Sequence, residues 1–439
     1  MRPTIYLDHN ATTPVDKRVL VEMLPYFTGS FGNAASATHG LGREAAGAVE
    51  SARSEVAALI RAEPKDVVFT SGATEAINLA LTGAMRGYRE RGRHLVTVAT
   101  EHRAVLETCE RLRDEGCEVT VLPVDRLGRV DPAAVVAALR PDTVLLACMF
   151  ANNEIGTIHD IAALGQLTRA AGVLFHVDAA QALGKEAIDV DAMGIDLMSL
   201  SAHKIYGPKG VGALYVRRRN PRVRLTALMS GGGQERGLRP GTLNVPGIVG
   251  FGVACALARE ALDADPGSAP LRGAQEAQPG SAPRRGARET QENTATERDR
   301  ISQLRNRLWQ RLSSLGNVER LGDPDHVLAG TLSVAIYGVD ARRLLVETPT
   351  IAASLGAACA SVTPEPSHVL RAIGLNWRQA EGVVRLSLGR FTTAAEIDTA
   401  ADLLAANIAR LRTATPTLSP APALSSAPAP SSAPATSTV

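Results

Sequence analysis

From about residue 66 to 216 the chain alternates short, β-branched apolar runs with longer stretches whose apolar positions recur at helical spacing. DVVFT leads into SGATEAINLALTGAMRG and HLVTVAT into HRAVLETCERLRDEG, while CEVTVLPV, TVLLACMF, VLFHVDAA and IDLMSLS continue the rhythm. Strands alternating with helices predict an α/β fold with a mostly parallel, doubly wound sheet covered by helices on both faces. Such sheets hold ligands outside the carboxyl ends of their strands, so functional residues are expected to follow strands.

IVGFGVACALAREAL reads as a helix that closes a large domain over 15–262. The composition then turns Pro/Gly/Ala/Arg-rich over 263–299, with a near repeat, PGSAPLRGAQE and PGSAPRRGARE, thirteen residues apart. With almost no large apolar residues to bury, this segment is expected to be a disordered insertion, and an arginine-bearing docking loop is its functional alternative. ISQLRNRLWQRLSSL resumes a helix, and TLSVAIYG, RLLVE and VVRLSLG are expected to be strands. They form a smaller C-terminal α/β domain over 300–412, joined by residues 1–14 and closing with AAEIDTAADLLAANIARLR. Residues 413–439 are a Pro/Ala/Ser tail, also expected to be disordered.

Composition narrows the function. A chain of 439 residues that is 45% hydrophobic can bury a large core. The net charge of +2 gives no electrostatic case for nucleic acid or an anionic membrane, so small-molecule chemistry is expected. Five cysteines, at 109, 117, 148, 255 and 359, show neither C-x-x-C nor metal-ligand spacing, so neither a disulfide framework nor a structural metal is expected. The N-terminal MRPTIYLDHNATTP lacks a signal-peptide layout, and a cytoplasmic enzyme is the expectation.

Four strand-end features carry chemistry. In FTSGATEAINL a strand gives way through a glycine to a helix beginning near Thr74, whose free N–H groups suit a phosphate; capping by Ser71 or Thr74 is the plain structural alternative. VLFHVDAAQ ends a strand on Asp178, with Gln181 just beyond. The carboxylate suits a protonated ring nitrogen and the amide a ring substituent, though an Asp there also serves as a cap or metal ligand. In SLSAHKIYGPKGVGALYV, Lys204 follows a strand and would form a Schiff base if desolvated; most lysines are instead solvated surface charges. In VATEHRAVLET, His102 opens a helix, a position that is structural in most proteins but lets an imidazole stack on a planar cofactor and move protons. Together these are the groups that pyridoxal 5′-phosphate requires.

The motifs YLDHNATTPVD, FTSGATEAINLA, ANNEIGTI, FHVDAAQALGK, SAHKIYGPKGVGALYVR, GGGQERGLRPGTLNV, EPSHVLRAIGL and VRLSLGRFTT resemble the pyridoxal-phosphate cysteine desulfurases of iron–sulfur cluster assembly and nitrogen fixation. These enzymes are fold-type I members of the class V aminotransferase superfamily. The resemblance spans residues 4 to about 412 apart from the insertion. It implies that Lys204 holds the cofactor as a Schiff base, Asp178 faces the pyridine nitrogen and His102 stacks on the ring. Asn153 and Gln181 would lie near the phenolic oxygen, while Ala73, Thr74, Ser201 and His203 hold the phosphate. Thr242 would reach the phosphate of the neighbouring subunit, which implies a homodimer with shared sites. Arg385 would grip the substrate carboxylate, with Asn33 a further candidate.

The resemblance further implies that Lys204 takes the α-proton of L-cysteine and that Cys359, as a thiolate, attacks the substrate sulfur. The products would be L-alanine and an enzyme persulfide destined for a sulfur acceptor such as an iron–sulfur scaffold. His102 would take the thiol proton. No resident metal is implied, although Cys359 is also a candidate transient iron–sulfur ligand. A selenocysteine lyase, or another class V lyase or aminotransferase, is the alternative, and Cys359 discriminates between them. Around that thiol, Ser354-Leu355-Gly356-Ala357-Ala358-Cys359-Ala360-Ser361 lacks three hydroxyls of the usual pattern, and Ala34 replaces a common proline.

Overall fold

The structure, a computed structural model, describes residues 4–264, 296–355 and 366–414. Residues 265–295 of the expected insertion, the tail beyond 414, and Cys359 within 356–365 lie outside the described residues. In chain order the strands are β1 (Ile5–Tyr6), β2 (Val67–Thr70), β3 (His94–Val98), β4 (Glu118–Leu122), β5 (Thr143–Ala147), β6 (Leu174–Asp178), β7 (Leu197–Ser201), β8 (Gly212–Val216), β9 (Val318–Leu321), β10 (Thr331–Ile336), β11 (Ile351–Ala352) and β12 (Val383–Ser387).

β2 to β8 form one sheet in the order β2-β8-β7-β6-β5-β3-β4. The pairs β3–β4, β3–β5, β5–β6 and β6–β7 are parallel, and only β8 runs against its neighbours. Because β2, β3 and β5 to β8 are buried on both faces, they read as near-continuous apolar runs, while the edge strand β4 is partly exposed. Val67 and Phe69 of β2 turn to one core, with Val96, Phe175, Met198 and Tyr215. Val68 turns to the other, with Leu95, Leu174, Leu197 and Leu214, under the helix Ala73–Gly87. The first core is closed by the helices Gly40–Leu59 and Val245–Asp263, which cross closely at Gly252, where a Cβ would stand 2.6 Å from Ala52 Cα. That contact explains a glycine in the middle of a long apolar helix.

A second, smaller core gathers β10 and β12 with the helices Glu297–Ser313 and Ala394–Ala414, and it takes in Ile5 and Leu7 from the N-terminus. β1 pairs in parallel with β11, and β12-β10-β9 is antiparallel. RLLVE, expected as a strand, is instead part of the helix Ala341–Val346. Asp340 caps it, accepting from the N–H groups of Arg342 at 2.8 Å and Arg343 at 3.2 Å, and Ala341 and Leu344 bury three residues apart on one face. Asp263 and residues 297–299, assigned to the insertion from composition, belong to helices; Thr296 caps the second, accepting from Asp299 N–H at 3.1 Å.

Candidate active site

The register of the large sheet brings the sequence-predicted residues to one edge. Thr70 and Ser201 both pair with Gly212, and Asp178 pairs with Ser199. Two reversals, at β2–β8 and β8–β7, leave β2 running with the parallel strands, so the helix after it starts at the same edge as the turns after β5, β6 and β7. Gly72 caps that helix with φ 155° and ψ −178°, a conformation open essentially to glycine. Neither Ser71 nor Thr74 caps it with a side chain, so its first N–H groups remain for a ligand. A Cβ on Gly212 would stand 2.7 Å from Gly72 Cα, so β8 can lie against this turn only as glycine.

A cavity of about 1080 Å³ opens along the edge, and Ala73, Thr74, His102, Asn153, Asp178, Gln181, Ser201, His203, Lys204 and Arg385 all line it. Lys204 ends the short 3₁₀ turn Ala202–Lys204, and its Nζ donates to the carbonyls of Asn10 and, at 2.8 Å, Ala11. Gln181 Nε2 donates to the same Asn10 oxygen at 2.8 Å. Asp178 accepts from Ala180 N–H at 2.9 Å. Burial pushes its carboxyl above the ordinary 3.8, against that hydrogen bond and the charges of His102 and Lys204. His203 is driven down to about 4 by burial and by the charge of Lys204, which keeps it neutral beside Thr12 Oγ1 at 3.1 Å.

His102 caps the helix Arg103–Asp114, and its Nδ1 accepts from Ala104 N–H at 3.1 Å. Burial lowers its pKa, so the ring is neutral with its proton on Nε2. That tautomer offers an N–H to a ligand, and the expected uptake of a thiol proton by His102 would break its own cap. Arg385, on β12, is 1% exposed; Nη2 donates to Asp8 Oδ1 at 2.7 Å and Nη1 to the Asn153 carbonyl at 3.0 Å.

Asn33 and Thr242 are exposed and lie outside this cavity, and Asn33 Oδ1 accepts from Ala35 N–H at 2.9 Å. Other residues of the site had no individual role in the sequence reading. Asp8 and Asn10 come from the quoted YLDHNATTP. Glu154, from ANNEIG, accepts from Ser367 Oγ at 2.6 Å, and His368 Nε2 lies 2.8 Å from the Glu101 carbonyl oxygen. The motif EPSHVL was the available signal for the last two partners. Buried Glu101 accepts from Met149 N–H, and desolvation followed by the charge of Asp178 holds its carboxyl well above the ordinary range. The thiols of Cys109, Cys117, Cys148 and Cys255 are all raised by burial, Cys109 to about 12, and none lines the cavity.

The family described as aminotransferase class-V matches residues 5–269 and 290–399. A relative from Anaeromyxobacter dehalogenans (strain 2CP-C), cysteine desulfurase IscS, is 49% identical over 417 residues, covering 95% of each chain. The protein of that name from Escherichia coli O139:H28 is 46% identical over 418 residues, again covering 95% of each. Among solved structures, a NifS-like protein superposes with a TM-score of 0.80 at 34% identity, over 93% of this chain and 100% of that one. A structure of SspA in complex with cysteine gives 0.71 at 36% identity, over 88% and 99%.

Proposed function

The chain belongs to the class-V aminotransferase family, and from that premise we propose that it is a pyridoxal-phosphate-dependent cysteine desulfurase. It takes sulfur from L-cysteine, releases L-alanine and carries the sulfur as a persulfide on Cys359. The observation that carries this reading is the single cavity joining Lys204, Asp178, His102 and Arg385 at the strand ends.

The residues present fit the cofactor. A helix start without a side-chain cap and the lining residues Ser201 and His203 suit a phosphate; a buried carboxylate suits a ring nitrogen. When bound, pyridoxal phosphate supplies an electron sink for bond breaking at the substrate α-carbon. Asp178 is the acid for the ring nitrogen, and Gln181 supplies an amide N–H near the phenolic oxygen. His102, which lines the cavity, would cover the ring and keep water off it. Arg385 orients the substrate carboxylate through its planar fork. Lys204 Nζ, released from the carbonyls of Asn10 and Ala11, takes the α-proton.

Sulfur transfer balances without an added oxidant or reductant: the substrate Cβ–S bond breaks, an S–S bond to Cys359 forms, and the carbon left behind takes up a proton. The thiolate is the attacking form. The protein acts as a homodimer in which Thr242, exposed on its own subunit, completes the partner's phosphate site. It works in the cytoplasm and hands its sulfur to an acceptor such as an iron–sulfur scaffold.

Mass spectrometry of the purified protein after exposure to L-cysteine tests this. One added sulfur is expected on Cys359 and on none of the other four cysteines, with stoichiometric alanine, and neither product in Lys204→Ala. With a thiol reductant present, alanine and sulfide release that continues undiminished in Cys359→Ala would overturn the persulfide route.

A further inference from the structure

Lys185 closes the quoted FHVDAAQALGK but has no part in the chemistry assigned so far. Its Nζ donates to Gln181 Oε1 at 3.2 Å, while the other end of that amide, Nε2, donates to the Asn10 carbonyl, which also accepts from Lys204. Lys185, Lys204 and Asn10 line a second cavity of about 70 Å³, and Asn10 and Lys204 line both cavities. The charged or titratable groups around Lys185 are Lys204, Arg385, Glu186, His9 and His203, with Glu297, Arg298 and Arg390 around the small cavity. Of these carboxylates, Glu186 is paired with Arg298 at 3.0 Å and Glu297 with Arg390 at 2.9 Å. Burial, then the charge of Lys204, lowers Lys185 to about 7. A lysine held where burial and a neighbouring ammonium strip much of its charge near pH 7 calls for a reason beyond solubility.

We propose that Lys185 is a positioning residue: by gripping Gln181 Oε1 it fixes which end of the amide faces the cofactor. A flipped amide would set its oxygen against the Asn10 carbonyl, acceptor to acceptor, and, while Lys185 is charged, its NH₂ against an ammonium, donor to donor. The grip therefore leaves the second Nε2–H as the group Gln181 offers to the large cavity. This inference rests on the pyridoxal-phosphate reading above.

The test is a pH titration of the visible absorbance of the holoenzyme, with cofactor content and melting temperature measured in parallel. Without Lys185, a hydrogen bond to the phenolic oxygen loosens and a neighbouring cation is lost; both let the chromophore keep its proton to higher pH. Lys185→Met is expected to raise the midpoint by roughly half to one pH unit. Lys185→Arg, which keeps charge and donor, is expected to titrate with the wild type. In a Gln181→Leu background, Lys185→Met is expected to produce a markedly smaller shift. Lys185→Gln gives the same reading should the methionine variant fail to fold. A Lys185→Met midpoint equal to the wild type, or a shift undiminished in the Gln181→Leu background, overturns the inference. A wild-type holoenzyme with no visible band overturns the cofactor reading and this one together.

Discussion

Replacing Arg385 by lysine keeps the charge at the strand edge and removes the fork. In the folded chain the guanidinium is 1% exposed, and its acceptors include Asp8 Oδ1 at 2.7 Å and the Asn153 carbonyl at 3.0 Å. A lysine ammonium on a shorter head cannot reach both while also meeting a substrate carboxylate side-on. Losing one hydrogen bond to a charged group costs about 1.5–3 kcal/mol, roughly ten- to a hundredfold in kcat/KM if that bond is one of the pair to the substrate. The same loss on the protein side lowers the melting temperature by about 2–4 °C for a chain of this size. Alanine or sulfide release against L-cysteine concentration gives the first number and thermal unfolding of the holoenzyme the second. The cofactor's visible band is expected to stay in place, because the role proposed for Arg385 is toward the substrate. A variant with kcat/KM within twofold of the wild type refutes the assignment of the carboxylate to Arg385.

Three further predictions rest on separate observations. His102→Asn keeps an acceptor for Ala104 N–H but removes the ring, so its melting temperature is expected to stay near that of the wild type while activity falls roughly two- to tenfold from lost stacking; His102→Ala loses the cap as well, at about 1 kcal/mol, read by thermal unfolding. Glu101 holds its proton above the ordinary 4.5 when folded, so folding takes up a proton and stability is lost as pH rises from the unfolded value through the folded one. Glu101→Gln, which mimics the protonated acid, is therefore expected to gain more in melting temperature over the wild type at about pH 8 than at about pH 5. Glu235 is paired with Arg53 at 2.7 Å and accepts from Phe69 N–H at 2.7 Å, all of it buried, so Glu235→Ala is expected to cost about 3–5 kcal/mol in urea unfolding.

The placement of the strand-end residues was legible because a buried parallel sheet leaves few choices: runs such as VVFT and LFHVD must be covered on both faces, and the polar residue at the end of each run has to emerge at the cavity edge. The contributions of Asn10 and Ala11 were not legible, since they act through backbone carbonyls that every residue type possesses, and they meet Lys204 across 194 and 193 positions. Glu101 was hidden for a different reason. A charged side chain is ordinarily assigned to solvent, and nothing near it in sequence announces that Met149 N–H comes to meet it. RLLVE misled because three apolar residues in five suit a strand as well as one turn of helix, and the deciding group, Asp340, stands before the run.

The N-terminal segment connects what the two cores hold separately. Arg385 stands on the small sheet with β12, and Lys204 follows the large sheet after β7, so nothing within either sheet fixes the distance between the residue proposed to anchor the substrate and the one proposed to hold the cofactor. Ile5 and Leu7 are buried in the small core, Asp8 takes Arg385, Asn10 and Ala11 take Lys204, and Thr13 Oγ1 donates to the His203 carbonyl at 2.9 Å. Asp8 and Asn10 are two residues apart on one strand of chain, which spans at most about 7 Å. A stretch to which no nucleophile or base is assigned therefore sets the spacing of the two groups that, on the proposed function, act on one small amino acid.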